Sequence, residues 1–195
     1  DDAGNVYGSF PTGRIWKYDV KRDRILDLRG TRLPLDPRAT PRTMSNPLID
    51  RKVYWRVIEW EPRERVAYGI IVGDSRLFRF DPFDGPEGAI EPLERLCAER
   101  YLQADPSLIP VATLALTITP QRKLYYAPVV SVAFDYAGTS WDVADERRFT
   151  AHLTGKDEPP ESVLIRYDLE KRERRELGLM RAADGRRVFG LGGAC

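Results

Sequence analysis

Apolar and polar residues alternate over short stretches of this chain, and one short pattern occurs three times. The pattern is an apolar residue, a variable residue, an aromatic residue and then Asp, and its copies are Arg14–Val20 (RIWKYDV), Arg76–Pro82 (RLFRFDP) and Val163–Leu169 (VLIRYDL). A tyrosine-containing stretch precedes each copy, in the order NVYGSF, VAYGIIV and LYYAPVV. Alternation with a period of two predicts β-strands. Because Tyr7, Tyr68 and Tyr126 are 61 and 58 residues apart, the sequence predicts a repeat architecture.

The second repeat gives the clearest prediction of individual strands. Four short apolar segments, separated by turn residues, cover 55–60, 66–72, 76–81 and 90–96. The third repeat follows the same plan at 113–119, 124–130, 163–169 and 175–180, with an insertion at 131–162. The segment 92–100 also has helical character, but the repeat assigns it to the fourth strand and the residues after it. Four antiparallel strands per unit predict a blade of a β-propeller.

The sequence therefore predicts an all-β protein, with one incomplete β-propeller domain over residues 1–195. A partial blade is expected at 1–28, complete blades at 53–96 and 112–180, and the start of a next blade at 186–195. Propellers close with about four to eight blades. Two complete blades and parts of two others therefore lead us to expect a fragment of a longer protein. Such a fragment exposes open strand edges, which favour association.

Two stretches, VAYGIIVGDSRLFRFDP and LALTITPQRKLYYAP, resemble the repeats of bacterial β-propellers of the SMP-30/gluconolactonase-like, YVTN and kelch types. The resemblance covers most of the chain, and it implies the fold rather than the function because these motifs encode blade packing. Gluconolactonase-like proteins bind a divalent metal at the mouth of the channel through carboxylate and Asn ligands. Those ligands have no residue-by-residue match here, so no metal site is carried over, and a divalent metal stays open only for a longer protein.

Charge and cysteine content argue against several other classes of protein. The chain has 31 basic and 30 acidic residues, whereas a nucleic-acid binder usually presents a basic face. It has no run of about 18 apolar residues, so no membrane span is predicted. Cys97, Cys195 and one histidine do not make a standard zinc site, and two buried free thiols are favoured over a disulfide. No cofactor is predicted, and both an exported (periplasmic or secreted) and a cytoplasmic location stay open.

The order of strands predicts the side of the domain on which a site lies. In a four-stranded meander, the link between the second and third strands and the link to the next blade open on the same side, because strand direction alternates. All of the long connections belong to these two classes, and they cover 29–54, 97–112, 131–162 and 181–187. The opposite side has short turns, as at 61–65 and 120–123. Because long loops are usually functional or disordered, we expect the site on the long-link side.

The long links and the strand starts beside them carry side chains that suit an oxygen-rich ligand. The candidate ligand-binding residues are Arg42, Asn46, Arg51, Trp55, Arg56, Trp141, His152, Arg186 and Arg187. Arginine binds carboxylates in a bidentate manner, and tryptophan offers a flat apolar face. His152 is the weak candidate for a catalytic residue because it is the one imidazole in the chain. A solvated surface position for His152 and a structural salt bridge for Arg56 are the alternatives.

Aromatic residues predict how the blades pack. The pairs that occupy matching positions in third strands are Trp16/Tyr18, Phe78/Phe80 and Ile165/Tyr167. The members of each pair are two residues apart, so they share a face that we expect to pack against a neighbouring blade. Trp55 and Trp60 are five residues apart on one strand, so they are predicted to face opposite sides, with at least one of them between blades.

Two kinds of function fit these features. The first is a ligand- or partner-binding propeller whose long-link face holds a carbohydrate-like or anionic small molecule, a glycan or a protein partner. The alternative is a hydrolase or lyase of propeller fold that processes a sugar acid or a lactone. An enzyme needs a base close to its substrate, and His152 and the carboxylates of 131–162 are the candidates. A purely structural role is the third possibility, and the sequence does not decide whether the chain is an enzyme.

Overall fold

A computed structural model of the chain describes residues 1–10, 12–34, 55–71, 75–97, 115–127 and 163–185, and of Arg56 it describes the backbone only. These residues form eleven β-strands. The strands are β1 (Val6–Ser9), β2 (Arg14–Asp19), β3 (Arg24–Arg32), β4 (Trp55–Glu61), β5 (Val66–Ile71), β6 (Arg76–Asp81), β7 (Ala89–Arg95), β8 (Leu116–Ile118), β9 (Lys123–Tyr126), β10 (Val163–Asp168) and β11 (Glu173–Leu179).

The strands build three antiparallel sheets in which chain neighbours are sheet neighbours. The first sheet is β1-β2-β3, the second is β4-β5-β6-β7 and the third is β8-β9-β10-β11. The described residues contain no helix, and thus none that is long and apolar enough to cross a bilayer. The prediction of an all-β protein built from four-stranded antiparallel units is confirmed for the second and third sheets.

The strand boundaries agree best with the sequence in the second repeat. There β7 ends at Arg95, so the first four residues of the stretch 92–100 form the end of the fourth strand, while 98–100 lie outside the described residues. In the first repeat the prediction of a link that begins at Arg29 is wrong, because β3 continues to Arg32. The last residues of β3 bond to the turn between β6 and β7 of the second sheet. The Gly30 amide donates to a Glu87 carboxylate oxygen, and the Thr31 hydroxyl donates to the Glu87 carbonyl at 2.9 Å.

The three sheets pack on one another through two apolar clusters, with the second sheet in the middle. The cluster between the first and second sheets has Ile15, Leu28, Leu33, Ala67, Ile71, Phe78 and Phe80 at its centre. The cluster between the second and third sheets is centred on Val66, Tyr68, Ile70, Leu77, Leu96, Leu116, Leu124, Tyr126, Ile165, Tyr167 and Leu169. We call the face of a sheet that is turned toward the sheet before it in the chain its upstream face, and the opposite face its downstream face.

Strand β5 shows why the second sheet occupies the centre. Every one of its six residues is buried. Val66, Tyr68 and Ile70 lie on the downstream face, whereas Ala67 and Ile71 lie on the upstream face. Since successive side chains of a strand point to opposite faces, a continuous apolar run such as this one suits a strand that is covered on both sides.

The pairing register shows which tyrosines are equivalent in the three repeats. Tyr7 pairs with Lys17, Tyr68 with Arg79 and Tyr125 with Arg166, in each case two residues before the repeated Asp. The alignment of the three repeats in the sequence used Tyr126 instead of Tyr125, which is wrong by one residue. The LYYA stretch offers two adjacent tyrosines, and only the hydrogen-bonding register distinguishes between them.

Glycine follows the equivalent tyrosine in the first two repeats because an aromatic ring lies across from it. A Cβ atom on Gly69 would lie 2.5 Å from Cζ of Phe78, its cross-strand partner. A Cβ atom on Gly8 would overlap the ring of its partner Trp16 in the same way. Glycine leaves the space into which the large ring of the third strand packs.

A bulge at the start of β4 changes the orientation that was predicted for its tryptophans. Trp55 pairs with Ile71 and Val57 pairs with Ile70, so Arg56 is an extra residue in the strand. The shift places Trp55 and Trp60 together in the cluster between the first and second sheets. The prediction that they face opposite sides is therefore wrong, while the prediction that at least one of them lies between sheets is confirmed.

Candidate functional site

Most of the predicted site residues lie outside the described residues. They are Arg42, Asn46, Arg51, Trp141, His152, Arg186 and Arg187. The same applies to Cys195, whereas Cys97 is a buried thiol. Of the predicted site residues, the structure describes only Trp55 and the backbone of Arg56.

Trp55 joins the first sheet to the second. Its ring stacks on that of Phe78, with a centroid distance of 5.8 Å and an interplanar angle of 27°. Its amide donates to the Ser9 hydroxyl at 3.2 Å, so both its ring and its backbone are engaged. Trp55 is therefore a packing residue whose side chain is only partly buried.

The antiparallel order brings particular strand termini to one end of each sheet. In a four-stranded unit the first and third strands begin at this end, and the second and fourth strands finish there. In the part of the chain that the structure describes, the first sheet has no counterpart of the first strand, so β1, β2 and β3 correspond to the second, third and fourth strands of such a unit. We call it the long-link end, because the long connections attach there, and we call the other end the short-turn end. Arg14, Trp55 and Arg76 begin their strands at the long-link end, while Arg32 and Arg95 finish theirs there.

Every irregularity of register in the described sheets lies toward the long-link end. The four interruptions are at Arg14/Ile15, Trp55/Val57, Arg76/Phe78 and Leu164/Ile165. Toward the short-turn end the same strands pair without interruption. Bulges are over-represented at sheet rims and next to active sites, where they re-aim side chains. The long-link end is thus the irregular end of the sheets.

Arginines occupy three of these four interruptions, namely Arg14, Arg56 and Arg76. Two of them lie directly opposite another arginine, since Arg14 pairs with Arg32 and Arg76 pairs with Arg95. Like charges that face each other across a strand pair are destabilising. Pairs of facing arginines thus recur at this end of two sheets.

The backbone holds these arginines in equivalent positions in the first two sheets. The Leu33 amide donates to the Gly13 carbonyl at 2.8 Å, and the Leu96 amide donates to the Ser75 carbonyl at the same distance. Both accepting residues have a positive φ, 80° for Gly13 and 51° for Ser75. Each of them immediately precedes an arginine that starts a third strand.

Contacts within the sheets hold two of these arginines, while Arg32 is exposed. Arg14 pairs with Asp27 at 2.7 Å, and its guanidinium lies 5.3 Å from the centre of the Phe10 ring. Arg76 donates to the Leu93 carbonyl at 3.1 Å. Arg32 is exposed, and within the described ranges it has no carboxylate partner.

The short-turn end, by contrast, is joined by ion pairs between sheets. Arg65 of the second sheet pairs with Asp2 of the first at 2.6 Å. Arg122, at the equivalent position of the third sheet, pairs with Glu64 and lies 3.9 Å from the buried Glu61. Both arginines have a positive φ, 58° in each case. The charges at this end therefore serve to hold adjacent sheets together.

Glu59 is a candidate site residue that was not predicted from the sequence. It lies in the middle of β4, opposite Tyr68, and it is partly buried. Burial raises the pKa of its carboxyl, and the described part of the chain contains no partner for it. A glutamate inside the apolar strand WRVIEW is the feature from which it could have been recognised. A desolvated carboxyl of this kind suits proton transfer.

The described residues bring no three His, Cys, Asp or Glu side chains together in a group that could hold a metal ion. The comparisons with known proteins assign no family either: no protein-family model matches the chain, and no curated protein sequence matches it.

Proposed function

We propose that this chain is part of a ligand-binding β-propeller and that the ligand binds at the long-link end of the sheets. The observation that carries the proposal is the coincidence of bulges and arginines at that end, with Arg14, Arg56 and Arg76 each in an interruption of the register. A sheet rim that is bulged and positively charged has the features of a binding rim rather than of a packing edge.

Two contacts between sheets support the propeller arrangement. The first strands β4 and β8 lie next to each other, and so do the fourth strands β3 and β7. In addition, the end of one fourth strand meets the start of the next, as where Arg174 donates to the Cys97 carbonyl at 3.0 Å. Blades arranged around an axis bring equivalent strands together in this manner.

The ligand class follows from the charge of the site. Arginine presents a planar set of donors that matches carboxylate geometry, and Trp55 adds an aromatic edge at the same end of the second sheet. An anionic, hydroxyl-rich small molecule such as a sugar acid fits this combination. The predicted residues Arg42, Asn46, Arg51, Trp141, His152, Arg186 and Arg187 would contribute from the long links.

Calorimetric titration with glucuronate, gluconate and neutral glucose tests the proposal. We expect binding of the two acids, with no binding of glucose at the same concentration. Because a hydrogen bond to a charged group contributes about 1.5–3 kcal/mol, Arg32→Gln and Arg56→Gln should each weaken acid binding about 10-fold or more. Arg63→Gln is the matched control, since Arg63 is an exposed arginine at the short-turn end. An equal loss in the control variant, or binding that survives both arginine changes, would refute this location.

Glu59 favours a second candidate function, a lactone or sugar-acid hydrolase or lyase. The raised pKa and the lack of a partner in the described ranges are what a general acid–base group requires. The same titration series separates the two functions when it is combined with an assay of aldonolactone hydrolysis. An enzyme should lose turnover in Glu59→Gln while it keeps binding of the acid. A wild-type protein that binds the acid without accelerating hydrolysis is a binding module.

A further inference from the structure

Asp84 and Gly85 form an exposed Asp–Gly pair in the turn that joins β6 to β7. In such a pair the aspartate side chain can close on the next backbone amide, because glycine has no Cβ atom to obstruct the approach. Gly85 has a φ of 75°, and a Cβ atom built on it would have no neighbour within 4 Å. The space around the peptide bond between Asp84 and Gly85 is therefore open.

Hydrogen bonds hold this turn at its two ends and leave its middle free. At the first end, the Phe83 amide donates to the Asp81 carboxylate at 3.0 Å. At the other end, the Gly88 carbonyl accepts the Thr31 hydroxyl at 2.9 Å. Between these ends, the carboxylate and the glycine amide of the Asp–Gly pair have no hydrogen bond to any described residue. No bond must therefore break before the two groups approach each other.

A second Asp–Gly pair, Asp184 and Gly185, provides a comparison within the same chain. It is also exposed, and its glycine has a similar φ of 83° with no neighbour within 4 Å of a built Cβ atom. In this pair, however, the Gly185 amide donates to the Ala182 carbonyl at 2.9 Å. The Gly185 amide must lose a hydrogen bond before it can react, whereas the Gly85 amide need not.

We propose that Asp84 is a site of spontaneous modification, at which aspartate isomerises to isoaspartate. The Gly85 amide nitrogen attacks Cγ of the protonated Asp84 carboxyl group, an N–Cγ bond forms, and the carboxyl hydroxyl leaves with the amide proton as water. Water then opens the imide ring. Addition of water at Cγ restores aspartate, whereas addition at the main-chain carbonyl of Asp84 leaves Gly85 joined through Cγ, which is isoaspartate. The reaction needs no oxidant, reductant or co-reactant other than water.

The modification affects the contact between the first and second sheets. Isoaspartate adds a methylene group to the main chain at position 84, three residues before Glu87. Glu87 is the residue that binds the end of β3, since its carboxylate accepts the Gly30 amide and its carbonyl accepts the Thr31 hydroxyl. A longer main chain in the turn displaces Glu87 from these donors. We therefore expect the isoaspartate form to hold the end of β3 less firmly.

Peptide mapping of the full chain during storage at neutral pH measures the modification. Trypsin releases the two pairs in the peptides 80–95 and 182–186, and electron-transfer fragmentation distinguishes isoaspartate from aspartate. Isoaspartate should accumulate at position 84 about fivefold faster than at position 184, the factor that corresponds to roughly 1 kcal/mol for one hydrogen bond. Asp84→Glu should prevent it, because the longer side chain closes a larger ring far more slowly. Asp84→Asn should retain it, because the same ring closes with loss of ammonia.

Hydrogen exchange of the Gly30 amide tests the consequence for the first sheet. Exchange should be about fivefold faster in the isoaspartate form, as for the loss of one hydrogen bond, and unchanged in stored Asp84→Glu. Treatment with an isoaspartyl methyltransferase, which returns isoaspartate to aspartate through the same imide, should restore slow exchange. Equal accumulation at the two pairs, or no isoaspartate at position 84, overturns the assigned site. A Gly30 amide that exchanges equally in both forms overturns the link to the first sheet.

Discussion

At the scale of single residues, the repeated Asp that marks each unit serves the turn after the third strand. Asp19 accepts the Arg22 amide at 3.1 Å, and Asp81 accepts the Phe83 amide at 3.0 Å. Asp168 accepts the amides of the two residues at the start of its turn, at 3.1 and 3.2 Å. Aspartate is favoured in turns because its carboxylate bonds to the backbone a few residues ahead. The most regular feature of the sequence is therefore structural.

Asp168 gives a prediction about pH and stability. A hydrogen bond from the Lys123 ammonium, at 2.7 Å, is the main reason why the pKa of the Asp168 carboxyl is lowered to about 2. A carboxyl with a lowered pKa in the folded state stabilises the fold above its unfolded pKa of 3.8, and this contribution disappears as the pH falls through about 2.

Urea unfolding of the wild type and of Asp168→Asn at several pH values checks this. The variant should be less stable at pH 7, and the difference in unfolding free energy should shrink between about pH 4 and pH 2. Lys123→Met should reduce the pH dependence of the wild type in the same range. A difference that stays constant down to pH 2 would contradict the assigned pKa.

At the scale of elements, strand positions follow from the sequence more closely than strand register does. The apolar periodicity placed β5, β6 and β7 within a residue or two of their observed positions. The same periodicity did not predict the bulge at Arg56, which places Trp55 on the same face of the sheet as Trp60. A bulge is defined by how two strands pair with each other, and the apolar pattern of one strand does not record that pairing. Register is thus the part that the sequence pattern did not contain.

Matched positions in two third strands give a prediction about packing. Phe78 is fully buried between sheets, while Trp16 occupies the matching position in the first sheet and is only partly buried. Phe78→Ala should lower the free energy of unfolding by about 3–5 kcal/mol, as expected for a large buried aromatic side chain. Trp16→Ala should cost less than half as much, although it removes a larger side chain.

Denaturant unfolding compares the two variants. The m-value should stay constant, so that the shift of the midpoint reports stability alone. Phe80→Ala is a second buried position and should resemble Phe78→Ala. Equal losses at Phe78 and Trp16 would mean that the first sheet is covered in solution.

At the scale of the whole molecule, the sequence predicted the all-β class and the alternation of long and short connections, but it did not reveal the sites in the described sheets. Repetition makes packing positions visible, because they recur in every unit. The candidate residue Glu59 occurs once, and it appears in the sequence only as a polar residue in an apolar strand. What marks Glu59 as a candidate is the burial that raises the pKa of its carboxyl, and that burial arises only when the strands fold into sheets.

The stacking order makes a prediction about local stability. The second sheet is covered on both faces, so opening β5 disrupts both apolar clusters, whereas opening β1 or β3 disrupts only one. Amides that open only by global unfolding exchange most slowly. In native-state hydrogen exchange, the amides of Ala67–Ile70, which pair on both sides with β4 and β6, should therefore be the slowest of the described strands. Phe78→Ala should accelerate them, while Val6→Ala, at an exposed position of the first sheet, should leave them unchanged. Slower exchange in β1 and β2 than in β5 would show that the first sheet, and not the second, is the stable centre of the fold.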